Sequence, residues 1–270
     1  MKLYLYFFGI IILFLSFGCN QKEASLDSKK MNDLLDKYQM ITDSLLFSIW
    51  DYSDLQIDEI ASAGFNESEI RFAMNNILNR FTQIHEVVYV NSNGVLKYAV
   101  PNAYRLSEGT DISKQAHVIK LFETKQRVFS NIFKLVEGYY ANIMEAPIIK
   151  DGNCIGSIST IFKPDVLISS IIKNTEKDGI DEFFILESTG TLVFDSDLSQ
   201  IGKNVLSDTL YSSDEQLFML TNTIIKENSG ELDYFFLDKD KKHRIKKRVW
   251  WQTSDYYGNE WKFCISKDLD

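Results

Sequence analysis

Residues 139–162, YYANIMEAPIIKDGNCIGSISTIF, contain the strongest local signal in the chain. Two runs rich in apolar and β-branched residues flank Lys150–Asn153. The Asp-Gly pair within those four residues suits a tight turn, because glycine readily adopts a positive φ. The pattern predicts an antiparallel β-hairpin, which we expect to lie at the centre of a sheet.

The N-terminus predicts an exported protein. Lys2 precedes an apolar run, Leu3–Phe17, that is shorter than the roughly 20 residues of a membrane span. The run ends in SFGC, which resembles the lipobox of exported prokaryotic lipoproteins, where cleavage frees a cysteine for lipidation. We expect a signal peptide at 1–18, a lipidated Cys19 and a polar tether at 19–29. A signal cut elsewhere and an uncleaved anchor are the alternatives.

Composition limits the function further. The remaining chain of about 250 residues is long enough for one large or two small cores. A formal charge of −9 disfavours nucleic acid as a partner. No second apolar run reaches membrane-spanning length, and Val166–Ile172 comes nearest. If Cys19 is lipidated, Cys154 and Cys264 remain as two buried, inert thiols, with a disulfide as the alternative.

A helical segment precedes all predicted strands. Residues 30–84 carry an apolar stripe at three- and four-residue steps, which is typical of an amphipathic helix. A break follows at Ala63–Phe65. Asn66 then suits a helix N-cap, with Glu69 three residues on as in a capping box.

From residue 85 the pattern changes to strands and repeats once. A first module (85–176) and a second module (177–270) each predict an antiparallel sheet of about five strands flanked by helices, so the fold class is α+β. In each module a strand–turn–strand unit comes first and the longer strands follow. Pro164 is predicted to open a helix.

Several segments in fixed order carry a family resemblance. In the first module they are VVYVNSNGVL, EGTDISKQAHV, VFSN and EAPIIKDGNCIGSIST. In the second they are FILESTGTLVFDSDLSQIGKNV, SGELDYFF and VWWQTSDYYGNEWKFCIS. The chain resembles double Cache (dCache, PAS-like) domains, the extracytoplasmic sensors of chemoreceptors and histidine kinases. It is most similar to the branch found in lipid-anchored proteins.

The resemblance implies a long N-terminal helix along both modules and a small-molecule pocket in the first, membrane-distal module. The best-defined ligand motif of the family reads amino acids through Arg-x-Trp-Tyr and a later aspartate, which hold the carboxylate and the ammonium. Here the corresponding positions are Asp111–His117 and the strand near Ile161. Because they lack the aromatic pair and the acid, amino-acid sensing by that motif is disfavoured.

His117 is the sharpest ligand candidate, because it lies in the segment that covers the pocket in relatives. With Lys114 and Lys120 nearby, it could hold an organic anion such as a small carboxylate. The alternative is a capping or solvent-facing histidine. The predicted ligand-binding residues are Ser113, Lys114, Gln115, His117, Ser130, Tyr140, Asn142 and Met144.

The strand 139–149 leaves one question open. Tyr140, Asn142 and Met144 share one face of the sheet by their spacing, and Tyr139, Ile143 and Glu145 share the other. The sequence does not say which face looks into a pocket.

Three features of the second module have structural explanations. Asp195–Asp197 predicts a turn with Asx caps rather than a metal site. Residues 239–248 form a basic run, interpreted as a solvated hairpin tip or as a contact with anionic lipid headgroups. Trp250, Trp251 and Trp261 are expected to pack within strands.

Enzymatic function is not indicated, because the chain lacks the common nucleophile, metal and phosphate-binding motifs, and we expect no cofactor. Two hypotheses remain. The first is a sensor, lipid-anchored on the extracytoplasmic face of the cell membrane, that binds a small molecule and acts through a separate transmembrane signalling partner. The second is a docking lipoprotein whose pocket is filled by side chains.

Overall fold

The computed structural model of the chain describes the backbone of residues 3–135, 137–172, 180–211, 214–237 and 244–269, with side chains from residue 26 onward. The helices are α1 Leu3–Ala63, α2 Glu67–Arg80, α3 Ala116–Thr124, α4 Pro164–Ile171 and α5 Glu215–Lys226. The strands are β1 Ile84–Asn91, β2 Leu96–Val100, β3 Val128–Phe129, β4 Phe133–Lys134, β5 Tyr140–Lys150, β6 Asn153–Phe162, β7 Glu182–Glu187, β8 Leu192–Asp195, β9 Ser229–Leu237, β10 Arg244–Tyr256 and β11 Asn259–Asp268.

The helix α1 is 61 residues long and touches strands of both sheets, namely β5, β10 and β11. Its buried side chains recur every three or four residues, as one face of a helix requires. The fully or almost fully buried members are Met31, Leu35, Tyr38, Leu46, Ile49, Trp50 and Ile60. The predicted long N-terminal helix is therefore confirmed.

The predicted break and cap after α1 are also confirmed. Gly64 and Phe65 both have positive φ, at 110° and 53°, which ends the helix. The side chain of Asn66 then accepts a hydrogen bond from the Glu69 amide (3.2 Å) and caps α2. Because α1 begins at Leu3, the segments expected as signal peptide and tether lie within this helix, and their processing stays a prediction. Within the described part of the chain, no helix is long and apolar enough to cross a membrane.

The first module contains a sheet in the order β2-β1-β6-β5-β3, with β4 added to β5. The predicted hairpin lies within it as β5 and β6, which pair with Lys150 opposite Asn153. Asp151 and Gly152 form its turn, with φ of 51° and 75°. The hairpin prediction is confirmed.

The two faces of the first sheet belong to different cores. Met144, Ile148 and Phe162 lie in the core that includes the buried stripe of α1. Ile143 and Ile161 lie on the opposite face, in a smaller core with Tyr104 and other residues of the covering segment 102–135. A two-residue period produces this division, because successive side chains of a strand point to opposite faces.

The second module contains a sheet in the order β8-β7-β11-β10-β9. The helix α5 covers its outer face and packs Leu220 and Ile224 into a core with Trp251. Trp250 and Trp261 are buried in the core shared with α1, so all three tryptophans pack within strands as predicted. Cys264 is buried and Cys154 half-buried, and both are free thiols rather than a disulfide.

Two smaller predictions concern the loops of the second module. The Asp195 carboxylate accepts a hydrogen bond from the backbone amide of Asp197 (2.7 Å). The Asp197 carboxylate accepts one from the backbone amide of Ser199 (3.1 Å), as Asx turns require. The predicted turn is confirmed. Residues 239–243 of the basic run lie outside the described residues, so its interpretation is not tested. At the end of the run, Arg248 pairs with Asp233.

The modules meet at closely fitted positions. Gly202, in the second module, has a φ of 80°, and a β-carbon placed there would lie 2.1 Å from the ring of Tyr140. Nearby, Phe129 of the first module packs edge-on against Trp261 of the second, with ring centroids 5.3 Å apart. The two sheets therefore share one continuous core.

We expect Gly202→Ala to destabilise the protein more than Gly109→Ala. Both positions have positive φ, but a β-carbon at Gly109 meets no atom within 4 Å. The left-handed backbone alone costs about 1–2 kcal/mol for alanine, and the overlap with Tyr140 adds about 1–3 kcal/mol. Urea unfolding measures the difference, and equal losses would contradict the tight contact between the modules.

Candidate functional site: a cavity in the first module

A cavity of about 660 Å³ lies between the outer face of the first sheet and the segment that covers it. Its volume falls within the range of small-molecule sites. The sheet contributes Glu86, Val88, Ile143, Ser159 and Ile161. The covering segment contributes Ile112, Gln115, His117, Phe129, Ser130 and Phe133, among others.

The second module completes the cavity wall. Gly258 and Asn259, at the turn between β10 and β11, line the cavity beside Ser130. The side-chain amide of Asn259 donates a hydrogen bond to the Ser130 carbonyl (2.7 Å). The site therefore depends on both halves of the chain, which the sequence analysis did not predict.

The structure brings three of the predicted ligand-binding residues together at the cavity. Gln115, His117 and Ser130 all line it. Ser113 lies instead against the turn at Gly94, where a β-carbon would be 2.5 Å from the Ser113 Cβ. Lys114 is exposed and does not line the cavity.

The other three predicted residues lie on the opposite face of β5. Tyr140 packs against Gly202, and Met144 is buried in the core shared with α1. The Asn142 amide is buried and donates to the Ser130 carbonyl (3.0 Å). The cavity face of β5 is the odd-numbered one, with Ile143 in the lining. The prediction that Tyr140, Asn142 and Met144 bind the ligand is therefore corrected: strand alternation points these side chains away from the cavity.

His117 is enclosed rather than solvent-facing. Its side chain is 6% exposed, and its ring stacks on Phe133 with centroids 5.7 Å apart. Burial lowers its pKa to about 4, because a charged imidazole would lose its hydration. At neutral pH it is therefore uncharged and offers no positive charge to an organic anion.

Two buried carboxyl groups accompany it. Glu86 is 2% exposed and lines the cavity, and burial together with the charge of Glu137 raises its pKa to about 8. Glu145 is fully buried, and its Oε2 lies 3.9 Å from His117 Nε2. One oxygen of Glu145 accepts from the Ser157 hydroxyl (2.7 Å), while Oε2 has no hydrogen-bond partner. Burial raises the Glu145 pKa to about 7.

Sequence reasoning missed Glu86. The signal is the strand IHEVVYVN, in which Glu86 has the same strand parity as the buried apolar residues Ile84 and Val88. An acid at such a position is either exposed at an edge or directed into an interior site.

A polar network joins the cavity to the second module. Glu187 Oε1 accepts hydrogen bonds from the Ile132 amide (2.6 Å) and from the side-chain amides of Asn259 (3.2 Å) and Asn142 (3.4 Å). Burial raises the pKa of Glu187 to about 7. The Asn142 and Asn259 amides that contact Glu187 also donate to the carbonyl of the cavity residue Ser130, in the connection between β3 and β4.

We expect Glu145→Gln to change the pH dependence of stability. The unfolded chain ionises Glu145 near its ordinary pKa of 4.5, while the folded chain ionises it near 7. The parent protein therefore loses stability as pH rises through this window, and glutamine does not. Relative to the parent, the variant should gain up to about 3 kcal/mol between pH 5 and 8.

Urea unfolding at pH 5, 6, 7 and 8 measures this difference. The exposed Glu123→Gln on α3 is the matched control and should follow the parent at every pH. A constant difference between Glu145→Gln and the parent would show that Glu145 does not titrate in this window.

Comparison with known proteins extends the structural description. Residues 54–164 match a family model described as HK/GC/Chemotaxis protein-like, sensor domain. No sequence match was found among curated proteins.

Three solved structures illustrate the structural similarity. An extracellular ligand binding receptor from Desulfohalobium retbaense is 23% identical, with a TM-score of 0.68 over 87% of this chain and 40% of that chain. The ligand-binding domain of the Campylobacter jejuni chemoreceptor Tlp3, in complex with 4-methylisoleucine, is 13% identical, with a TM-score of 0.63 over 90% and 92%. That of the Pseudomonas fluorescens chemoreceptor CtaA, in complex with L-isoleucine, is 11% identical, with a TM-score of 0.63 over 92% and 96%. The chain thus spans less than half of the first receptor. At these identities the similarity shows the fold.

Proposed function

This chain has the double Cache fold and matches an HK/GC/chemotaxis sensor domain at residues 54–164, and we propose that it is an extracytoplasmic sensor that binds a small molecule in its first module. It acts through a separate membrane partner. The observation that carries the proposal is the cavity of about 660 Å³ lined by both modules. The proposed role requires no catalytic step, metal or cofactor.

The cavity itself supports a ligand-binding role. A docking lipoprotein with a filled pocket would pack side chains throughout the space between the first sheet and its cover. Here that space contains a cavity, lined by Ile143 and Ile161 of the sheet and by His117 of the cover. Apolar walls with a few convergent polar groups are typical of sites for small organic molecules. The docking alternative is therefore disfavoured.

Relatives bind ligands of suitable size. The similar Tlp3 and CtaA domains were solved with 4-methylisoleucine and L-isoleucine. In this chain the cover segment Asp111–His117 has no arginine or aromatic pair to hold a carboxylate. We therefore assign to the cavity a small organic ligand that is recognised by residues other than the amino-acid motif of the family.

The polar network offers a route from ligand to second module. Ser130 and Asn259 line the cavity, and both are bonded within the network around Glu187. A ligand that shifts Ser130, in the connection between β3 and β4, changes the Glu187 contacts at the same time, because both groups bond to the side-chain amide of Asn259. The second module, and with it α1, would receive the signal.

We expect a cavity-filling variant to lose ligand binding. A thermal-shift screen of the full chain in detergent against organic acids, amines, purines and sugars should yield a stabilising ligand, because a ligand at 100 times its Kd stabilises by about 2.7 kcal/mol. Ile161→Trp should abolish the shift, since Ile161 lines the cavity. Ile149→Trp is the matched control, because Ile149 is 45% exposed outside the lining.

The outcome of this screen decides between the two hypotheses. A ligand whose shift persists in Ile161→Trp would bind elsewhere and contradict the site. If no compound stabilises the protein, the sensor hypothesis is contradicted and the docking lipoprotein is favoured.

We further propose that the signal peptide 1–18 is removed and that Cys19 carries lipid, which holds the protein on the extracytoplasmic face of the membrane. In a bacterial host supplied with radiolabelled palmitate, the parent chain should be labelled, and Cys19→Ser should be unlabelled. Cys154→Ser is the control and should remain labelled, because Cys154 lies in β6. Labelling of Cys19→Ser would contradict the lipid anchor.

A further inference from the structure

We propose that the ligand of the first-module cavity carries a cationic nitrogen group, an ammonium or amidinium, and that Glu86 is its counter-ion. This inference rests on the proposed sensor function and names the chemical class of its ligand. It replaces the organic anion considered from the sequence.

Glu86 differs from the other charged residues of the lining by its depth. Asp111, Lys120, Lys134 and Glu137 are all exposed, so they lie where the cavity opens to solvent. Glu86 is 2% exposed and belongs to β1, an inner strand of the sheet. The buried end of the cavity therefore holds an acid, and its one buried base, His117, is neutral at pH 7.

Among the residues that the structure describes, none supplies a counter-ion for Glu86. The ion pairs formed among the described residues do not include it. The groups that act on it are the carboxylate of Glu137 and the phenol of Tyr139, and neither is a cation. The nearby ammonium of Lys163 lies over the Tyr139 ring, 4.2 Å from its centroid.

An unpaired carboxyl group in such a place favours a cationic ligand. Ionisation without a partner is costly in an interior site, and the raised pKa of Glu86 expresses that cost. A ligand cation within hydrogen-bond distance would offset it by a charge-assisted hydrogen bond. A ligand carboxylate could form no such ion pair, because an ionised Glu86 would be a second negative charge beside it.

The rest of the lining indicates the body of the ligand. Val88, Leu96 and Ile143 form an apolar wall beside Glu86, and Phe133 supplies an aromatic ring. An alkyl or aryl group attached to the cationic nitrogen would bury its apolar surface there. The site therefore suits a primary amine with an apolar substituent.

The test uses two series of probes that share a carbon skeleton and differ in the polar group. The first is phenethylamine, 3-phenylpropionate and 2-phenylethanol, and the second is isopentylamine, 4-methylpentanoate and isopentanol. Binding to the full chain in detergent is measured by titration calorimetry at pH 7. We expect the amines to bind at least tenfold more tightly than their carboxylate and alcohol counterparts.

Variants and proton release locate the interaction at Glu86. Glu86→Gln keeps a hydrogen-bonding side chain but loses the charge, so amine affinity should fall at least tenfold, while Glu86→Asp should retain part of it. The exposed Glu123→Gln is the control and should bind as the parent does. Because Glu86 must ionise to pair, amine binding at pH 7 should release up to about one proton, seen by comparing phosphate and Tris buffers.

Each outcome bears on the proposal separately from the sensor function. Carboxylates or alcohols that bind as well as the amines, or unchanged amine affinity in a folded Glu86→Gln, would overturn the cationic ligand. The cationic ligand is also overturned if no amine binds while the library screen finds a ligand whose thermal shift is lost in Ile161→Trp. In that case the sensor function stands. Silence in both experiments overturns both proposals.

Discussion

The buried stripe of α1 is the contact on which the arrangement of both sheets depends. Tyr38 packs edge-on against Phe183 of the second sheet, with ring centroids 5.4 Å apart, and Trp50 does the same with Tyr257 at 5.2 Å. Further along, Ile57 and Ile60 join a core with α2 and the first sheet. Each fully buried side chain of this size contributes roughly 1.5–3 kcal/mol. One helix therefore holds two sheets that have no strand in common.

Because α1 occupies the inner face of both sheets, their outer faces are left to separate covers. In the second module α5 fills its face with Leu220 and Ile224, which close a core around Trp251. In the first module the nine-residue α3 buries Val118 and Leu121, and the polar, buried Ser159 lines the cavity. The shorter helix and more polar lining of the first module leave a cavity beside a small core, whereas α5 closes a core over the second sheet.

Local signals predicted most of the fold. The Asp-Gly turn, the Asn66 cap and the stripe of α1 each depend on residues close in sequence, and each was found where the sequence placed it. Of the four ligand-binding residues predicted within residues 111–117, two, Gln115 and His117, also line the cavity.

The rest of the site depends on contacts between distant residues. Alternation along β5 defines two faces but does not say which one α1 covers. The even-numbered face, with Tyr140, Asn142 and Met144, is therefore as plausible from the sequence as the odd-numbered face that lines the cavity. The family motif predicts an acid near Ile161 on β6, whereas the acid of the cavity is Glu86, which pairs with Ile161 from the neighbouring strand β1. The bond between Asn259 and Ser130 spans 129 residues, and no local pattern announces it.

That bond also bears on how such proteins can be recombined. The turn at Gly258 and Asn259 belongs by sequence to the second repeat but forms part of the wall of the cavity in the first. An exchange of residues 85–176 between two proteins of this fold would carry most of the cavity lining and leave this piece of wall behind. A segment that transfers the complete cavity wall is therefore longer than residues 85–176, because it must include the β10–β11 turn.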